Sequence, residues 1–393
     1  MRRFIILGVA LATSALGALP AQALPPTANE HAVERVCASP AAGEAACSAL
    51  RLGRPTGGTT PAVPAGYGPA DLRAAYNLPA TFVGATRPTI AVVDAYDAPS
   101  AASDLAVYRK QFGLPALNAG GPTFTKVNQN GGTKMPMKNA GWAAEISLDL
   151  DMVSAICPTC NILLVEASSA SFANLGAAVN YAASVNGVVA ISNSYGGSDL
   201  GQMSAYNHPG IAITASTGDA GYGVSAPASF ASVIAVGGTS LRRAATASGW
   251  AETAWTGAGS GCSTLNTKPV WQTAATQCTG KANADVSAVA DPYTGVAIYD
   301  STPYNGASGW QVYGGTSASA PIVAAVFALA GNTGTGYSAT NPYPASRLWG
   351  ATSGLNDVTT GSNGTCPTSV WCNAGTGWDG PTGLGTPNGV SAF

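Results

Sequence analysis

The chain has 393 residues, a formal net charge of −2 and 9% charged side chains, against about 25% in an average globular domain. This near-neutral balance excludes the basic surface that nucleic-acid binding needs, and nothing amphipathic predicts attachment to a membrane surface. The hydroxyl-rich surface that this composition favours gains little self-repulsion when carboxylates become protonated, so we expect the protein to tolerate acid.

The first 23 residues have the three-part pattern of a secretory signal peptide. Met1-Arg2-Arg3 is basic, an apolar run extends from Phe4 to about Leu19, and Ala21-Gln22-Ala23 supplies the small residues of a cleavage site. The run is too short for a transmembrane anchor and contains Gly, Ser and Thr. We therefore expect an exported, extracellular protein that starts at Leu24, and the export route stays open.

Residues 24–65 are rich in Pro, Ala and Gly, which predicts a short propeptide or an N-terminal arm. Regular structure is expected from Gly66 onward, where Pro69 and Asp71 suit the first turn of a helix. Residues 66–393 are therefore predicted to form the main folded domain.

Strands and helices alternate through the middle of the chain. Continuous apolar runs predict strands at 89–94, 161–165, 188–192, 211–216 and 232–236. Helices are predicted at 104–112, 142–156, 172–185 and 317–330. This alternation is typical of an α/β fold in which helices cover both faces of a mostly parallel central sheet. Because ligands bind at the carboxyl ends of such strands, the loops after Asp94, Ser192 and Ser216 are candidate site loops.

The eight cysteines fall into four local pairs, although eight cysteines allow 105 connectivities. Loop closure favours near partners, and an exported protein should oxidise them. A redox or zinc motif at the second pair is the alternative. The pairs are Cys37/Cys47, Cys157/Cys160, Cys262/Cys278 and Cys366/Cys372.

The segment 314–321, Gly-Gly-Thr-Ser-Ala-Ser-Ala-Pro, resembles a serine nucleophile at a Gly-rich turn into an apolar helix. A serine hydroxyl is a weak nucleophile and needs an adjacent base, which is usually histidine. The chain has two histidines, His31 and His208. Another group could therefore activate Ser317.

The predicted helix 142–156 carries a pair of carboxylates. Glu145 and Asp149 are four residues apart and share a face, whereas Asp151 points elsewhere. Such a pair usually lies on a solvated face, but here the flanking residues are apolar. Buried together, the two carboxyl groups would share one proton and could act as a general acid and base near pH 4.

Asp219 follows an apolar strand in the segment Ser-Thr-Gly-Asp. One interpretation is a turn residue that accepts hydrogen bonds from local backbone N–H groups. The functional interpretation is an oxyanion donor, which requires a protonated carboxyl group because an ionised one cannot donate.

These three motifs occur in the order seen in the sedolisins, the serine-carboxyl peptidases with a subtilisin-like three-layer fold. The segments 66–72, 227–241 and 284–292 also resemble that family. The resemblance implies that Ser317 attacks the scissile carbonyl, that Glu145 is the general base, that Asp149 orients Glu145, and that protonated Asp219 supports the oxyanion. It also implies an acidic optimum and a substrate strand at 192–197.

The C-terminal region resembles the sedolisin calcium loop. Asp357 and Asp379 would supply carboxylates, and Val358, Gly375 and Gly377 would supply backbone carbonyls. Hard oxygen ligands on a flexible loop suit calcium, so the resemblance implies one structural Ca²⁺. A Gly-rich surface loop is the alternative.

The prediction is a secreted, monomeric endopeptidase that hydrolyses protein or peptide substrates at acidic pH through an acyl-enzyme. One alternative is a catalytically inactive secreted protein that uses the same fold to bind peptide or cell-wall material. Another is a subtilisin-type peptidase that uses Asp94, His208 and Ser317. His208 lies in Tyr-Asn-His-Pro-Gly, which lacks the His-Gly-Thr helix start of that class.

Overall fold

The computed structural model describes residues 32–53, 64–331 and 343–393. The predicted signal peptide, residues 1–23, lies outside the described residues, and so does His31. We refer to residues 32–53, the described part of the predicted N-terminal arm, as the arm segment. No helix in the described ranges is long and apolar enough to cross a membrane.

The helices are α1 Pro69–Ala75, α2 Ala101–Gln111, α3 Ala140–Ile156, α4 Phe172–Ser184, α5 Thr316–Leu329 and α6 Ala345–Gly350. The strands up to the middle of the chain are β1 Val33–Arg35, β2 Ala46–Cys47, β3 Leu50–Leu52, β4 Thr89–Ala95, β5 Phe124–Asn128, β6 Asn161–Ala167, β7 Val188–Asn193, β8 Tyr195–Gly196 and β9 Ala212–Ser216. The later strands are β10 Ile234–Arg243, β11 Trp250–Ala254, β12 Gly261–Thr267, β13 Gly280–Asn283, β14 Val286–Val289, β15 Val296–Tyr304, β16 Ala307–Gly314, β17 Leu355–Asn356 and β18 Thr386–Pro387.

The main sheet is mostly parallel, as predicted. Its strand order is β11-β10-β9-β7-β4-β6-β5, and β14 also pairs with β10. Of these pairings, β10 with β11 is antiparallel and the others are parallel. The apolar runs are buried as expected, because β4 has six buried residues out of seven. The strand predicted at 232–236 extends to Arg243 because β10 changes partners along its length.

Two helices from distant parts of the chain lie side by side on this sheet. α3 and α5 pack against each other, and α5 also contacts β4, β7, β9 and β10. α4 packs on β4, β6 and β7. All of the side chains of α5 are buried, since it is apolar on every face. This packing brings the two helices that carry the predicted catalytic residues into contact.

A second, antiparallel sheet has the order β1-β3-β16-β15 and joins the arm segment to the body of the protein. β3 pairs with β16, where Arg51 lies opposite Tyr313 and Leu50 opposite Gly314. β2 pairs separately with β8 in an antiparallel ladder. The arm segment is therefore bound to the body at two strand edges.

The four predicted cysteine pairs are all disulfides, and the described residues contain no free cysteine. Cys157 and Cys160 are completely buried and bonded to each other, directly after α3. The zinc alternative for this pair is therefore wrong.

Candidate active site

Helix α3 holds the carboxylate pair in the interior. Its first turn is capped by Asn139, whose side chain accepts hydrogen bonds from the N–H groups of Gly141 and Trp142. From this start, Glu145 and Asp149 both point into the core and are 0% exposed. Asp151 points away, as predicted, and accepts a hydrogen bond from the backbone N–H of Tyr299 in β15 at 2.9 Å.

The nucleophile candidate lies in the first turn of α5. Gly315 precedes the helix with φ +92°, a conformation that favours glycine. A Cβ atom at Gly315 would lie 1.9 Å from the carbonyl oxygen of Ser48 and 2.7 Å from Oδ2 of Asp219. This close approach requires glycine at position 315 and fixes the direction of the following residues. Ser317 is completely buried there.

The serine and the glutamate are in direct contact. Ser317 Oγ lies 2.9 Å from Oε2 of Glu145, a distance at which the hydroxyl donates to the carboxylate. The same hydroxyl lies 3.1 Å from the carbonyl oxygen of Ser194. Because the hydroxyl has one proton, it can donate to only one of these acceptors at a time. The pairing with Glu145 has the geometry that a general base requires.

Burial raises the pKa of the carboxyl groups around Ser317, and the charges of neighbouring carboxyl groups add to this effect. Burial raises the pKa of Glu145 well above its usual value, the charges of Asp149 and Asp94 add to this, and the Ser317 hydroxyl opposes it. Burial and Asp94 likewise raise the pKa of Asp149. In such a cluster the protons are shared, so the group titrates as a unit rather than residue by residue.

Asp94 is also a member of this cluster. The sequence analysis placed it before a candidate site loop and in the subtilisin-type alternative, and not with Glu145 and Asp149. It is 0% exposed, and neither of its carboxyl oxygens has a hydrogen-bond partner among the described residues. Its pKa is raised by burial and by Glu166, which lies opposite it across the β4–β6 ladder. The signal in the sequence was its place at the carboxyl end of a buried parallel strand.

Asp219 contacts the first residue of α5. Its Oδ1 accepts hydrogen bonds from the backbone N–H and the hydroxyl of Thr316, both at 2.8 Å. Its Oδ2 is buried without a partner among the described residues and lies next to Gly315. Burial raises the pKa of Asp219 to about 6, against the opposing bonds from Thr316 and the charge of Arg35. Below pH 6 this carboxyl group is therefore a hydrogen-bond donor.

His208 lies away from Ser317. Its ring Nε2 is 3.0 Å from Oδ1 of Asn180 in α4 and 3.1 Å from the carbonyl oxygen of Ala205. Ser317 instead contacts Glu145. This arrangement argues against the subtilisin-type alternative, because that mechanism requires histidine beside the serine.

The predicted calcium ligands lie in one loop cluster. Gly377 N–H donates to Asp357 at 2.9 Å, and Gly375 N–H donates to Asp379 at 3.2 Å. Burial raises the pKa of Asp379 to about 7, and the charge of Asp357 adds to it. The described ranges contain no group of three or more His, Cys, Asp or Glu side chains that is placed to hold a metal ion. Two carboxylates supplemented by carbonyls, including that of Val358, fit a cation that prefers oxygen.

Comparison with known proteins identified relatives of this chain among curated proteins. No family model matches the chain. Kumamolisin of Bacillus sp. (strain MN-32) is 29% identical over 372 residues, covering 84% of this chain and 63% of kumamolisin. Sedolisin of Pseudomonas sp. (strain 101) is 35% identical over 179 residues, covering 42% of this chain and 29% of that protein. The chain thus spans less than two thirds of the length of either curated relative.

A solved structure confirms the predicted fold. Pseudomonas sedolisin, a serine-carboxyl proteinase complexed with two molecules of pseudo-iodotyrostatin, matches with a TM-score of 0.64 at 24% identity. The match covers 83% of this chain and 96% of that one.

Proposed function

We propose that the chain is a member of the sedolisin family, to whose members kumamolisin and sedolisin it is similar, and that it is an exported serine-carboxyl endopeptidase that hydrolyses peptide bonds at acidic pH. The observation that carries this proposal is the 2.9 Å contact between Ser317 Oγ and Glu145, in a cluster of buried carboxyl groups. The substrates would be proteins or peptides, and the enzyme would act as a monomer outside the cell.

In the acylation step, Ser317 Oγ bonds to the scissile carbonyl carbon while its proton passes to Glu145. The carbonyl π electrons move onto oxygen and form a tetrahedral oxyanion. When this intermediate collapses, the C–N bond breaks and Glu145 returns the proton to the leaving nitrogen. Water then repeats the sequence on the ester, with its proton taken by Glu145, and the acid product leaves as Ser317 regains its proton.

Asp149 and Asp94 would act through Glu145. Both lie close enough for their charge to raise the pKa of a neighbouring carboxyl group in the cluster. A raised pKa makes ionised Glu145 a stronger base toward the Ser317 hydroxyl. It also keeps the proton on Glu145 in mildly acidic solution until the leaving nitrogen accepts it.

Asp219 would stabilise the oxyanion, together with the N–H of Ser317. Its unpartnered Oδ2 lies beside Gly315, at the turn that presents the nucleophile. A neutral carboxyl group donates a hydrogen bond to the developing charge, whereas an ionised one repels it. Since its pKa is about 6, this role supports activity below that pH.

Substrate would bind by strand addition at 192–197. The backbone of β8 in this segment already forms an antiparallel ladder with β2. That pairing supports the proposal, because it indicates that the edge of β8 accepts an extended strand.

We also propose one structural Ca²⁺ held by Asp357, Asp379 and the carbonyls of Val358, Gly375 and Gly377. The ion would offset the repulsion between the two carboxylates and stabilise the C-terminal loops. Removal of calcium with a chelator should lower the melting temperature, and Ca²⁺ but not Mg²⁺ should restore it. Unchanged melting with and without chelator would contradict the site.

The test of the peptidase proposal is a pH–rate profile on a peptide library for the wild type, Ser317→Ala and Glu145→Gln. Both variants should lose activity by at least about a thousandfold, as removal of a nucleophile or its base does. Asp151→Asn is the matched control, because this carboxyl group lies on the same helix but points to β15. Full activity of Glu145→Gln would contradict the mechanism, and absence of cleavage by the wild type between pH 3 and 7 would favour the inactive binding protein.

A further inference from the structure

We propose that Ser194 is a positioning residue for the nucleophile, because its hydroxyl group donates to the carbonyl oxygen of Ser317 in place of the backbone N–H that Pro321 lacks. The inference rests on the proposed function, since it takes Ser317 as the residue that attacks the substrate. It assigns a role to two features that the proposed mechanism does not use, the side chain of Ser194 and the proline at the end of the segment 314–321.

Pro321 interrupts the hydrogen-bond ladder of α5 near its start. In an α-helix each N–H donates to the carbonyl oxygen four residues earlier, so residue 321 would donate to Ser317. Pro321 lies inside α5 and has no N–H, and a proline ring also crowds the carbonyl group four residues before it. The carbonyl oxygen of Ser317 therefore lacks its regular helical donor. Since Ser317 is completely buried, a donor from another part of the protein stabilises that oxygen.

The side chain of Ser194 supplies such a donor. Its Oγ lies 3.3 Å from the carbonyl oxygen of Ser317, and both residues are completely buried. Ser194 is the residue between β7 and β8, and α5 packs on β7. The bond therefore joins the first turn of α5 to the end of a strand of the main sheet.

A second contact between the same two residues runs in the opposite direction. The Ser317 hydroxyl lies 3.1 Å from the carbonyl oxygen of Ser194 and 2.9 Å from Oε2 of Glu145. The backbone of Ser317 is thus held by the Ser194 side chain, and its hydroxyl can turn between the Ser194 carbonyl and the glutamate. Because a nucleophile reacts efficiently only from a narrow range of positions, the placement of this residue affects the rate of the acylation step.

Loss of the Ser194 hydroxyl should act on kcat and not on KM. It leaves a buried carbonyl oxygen without this donor at the residue that attacks the substrate. Strand addition at 192–197 uses backbone groups, which a change of side chain leaves in place. We therefore expect Ser194→Ala to lower kcat by about tenfold with an unchanged KM.

A double-mutant cycle with Pro321→Ala tests the proposed reason for this loss. Pro321→Ala supplies the missing N–H, which can donate to the carbonyl oxygen of Ser317 within α5. In this background Ser194→Ala should lower kcat by less than about twofold. Equal losses in both backgrounds would overturn the proposal, and so would a higher KM with an unchanged kcat in Ser194→Ala.

The cycle also separates this role from an effect on the carboxylate pair. Burial and the charge of Asp94 raise the pKa of Asp149, and the Ser194 hydroxyl opposes this rise. An effect of Ser194→Ala through Asp149 does not depend on the residue at position 321. Rescue by Pro321→Ala therefore assigns the loss to the carbonyl group of Ser317.

Thr214→Val is the matched control. Thr214 Oγ1 also donates to a carbonyl oxygen of α5, that of Ala320, at 3.1 Å. Here the residue four positions later is Ala324, which supplies the regular helical N–H. Valine has the same shape as threonine, and we expect kcat within about twofold of its unsubstituted parent in both the wild-type and the Pro321→Ala background. A tenfold loss in Thr214→Val would show that any hydroxyl on α5 has this effect and would overturn the specific role of Ser194.

Thermal unfolding in a Ser317→Ala background separates this inference from the peptidase proposal. The carbonyl group at position 317 is retained there and no cleavage is required. Ser194→Ala should lower the melting temperature by about 2 °C when Pro321 is present and by less than half of that with Pro321→Ala. This difference would support the hydrogen bond even if the wild type cleaved no peptide, a result that would overturn the peptidase proposal instead. Equal shifts in both backgrounds would overturn the inference whatever the activity.

Discussion

At the scale of single residues, the chemistry of the site depends on which of its buried carboxyl groups carry a proton. Glu145, Asp149 and Asp94 are all completely buried, and burial raises the pKa of each. Asp219 has different hydrogen-bond neighbours, because two donors from Thr316 bond to one of its oxygens. The two environments allow a base and a neutral donor to exist at the same mildly acidic pH.

Replacement of Asp219 tests the donor role. The pKa of Asp219 is raised to about 6, so its ionisation should produce the fall in kcat/KM above that pH. Asp219→Asn keeps an N–H donor that does not titrate, and we expect this alkaline fall to weaken or move upward. Asp219→Ala removes the donor and should lower kcat by about a hundredfold or more at every pH.

The measurement for Asp219 is kcat/KM on one peptide substrate between pH 3 and 8 for the three proteins. An alkaline limb in Asp219→Asn at the wild-type position would assign that limb to another group and contradict the donor role.

Asp94→Asn tests the charge coupling inside the cluster. The charge of Asp94 raises the pKa of both Glu145 and Asp149, so an uncharged residue of the same shape should lower them. We expect the acidic limb of the kcat/KM profile to move to lower pH. Asp151→Asn, on the same helix as Glu145 but directed to β15, should leave that limb in place. A shift to higher pH in Asp94→Asn would contradict the coupling.

At the scale of elements, the site forms where two buried helices pack against each other on one sheet. α3 supplies both carboxylates one turn apart, and α5 supplies the serine from its first turn. Their packing against each other sets the distance between Ser317 and Glu145. The two helices begin differently: the side chain of Asn139 caps α3, and Gly315 precedes α5.

Asn139→Ala should remove the cap of α3. The Asn139 side chain accepts from two backbone N–H groups, and we expect its loss to lower the free energy of unfolding by about 1 kcal/mol. Asn139→Ser retains a capping oxygen and should lie close to the wild type. Urea denaturation in a Ser317→Ala background measures the difference without self-digestion, and equal stability of all three proteins would show that the cap contributes nothing.

At the scale of the whole molecule, buried carboxyl groups favour folding in acid. Burial raises the pKa of Glu166 to about 8 and the pKa values of Asp219 and Asp300 to about 6. A carboxyl group with a raised pKa binds more protons folded than unfolded, so its contribution to stability is complete below the unfolded pKa. That contribution is lost as the pH rises through the folded value.

We therefore expect the free energy of unfolding to fall between about pH 4 and about pH 8. Urea denaturation of the Ser317→Ala protein at several pH values, with fixed ionic strength and calcium, measures this. Glu166→Gln should flatten the upper part of the dependence, because its pKa is the highest of the three. Stability that rises from pH 4 to pH 8 would contradict the expected dependence.

Much of the fold was predictable because its signals are local. The apolar run at β4 identified a buried strand, and the pattern around α3 and α5 identified buried helices. Helix boundaries differed by up to three residues, as at α2, which begins at Ala101 rather than 104. Strand order and the partners of β2 and β3 were not predictable, because pairing joins residues far apart in the chain.

The sequence by itself determined the α/β alternation, the four disulfides and the candidate residues Ser317, Glu145, Asp149 and Asp219. Each of these depends on residue type, spacing or short loop closure, which are properties of nearby residues. The tertiary structure alone decided that Asp94 joins the carboxylate cluster and that residues 44–50 lie between β8 and the turn that precedes Ser317. Those contacts connect segments that lie 51 residues or more apart in the sequence, and only the packing of the whole chain brings them together.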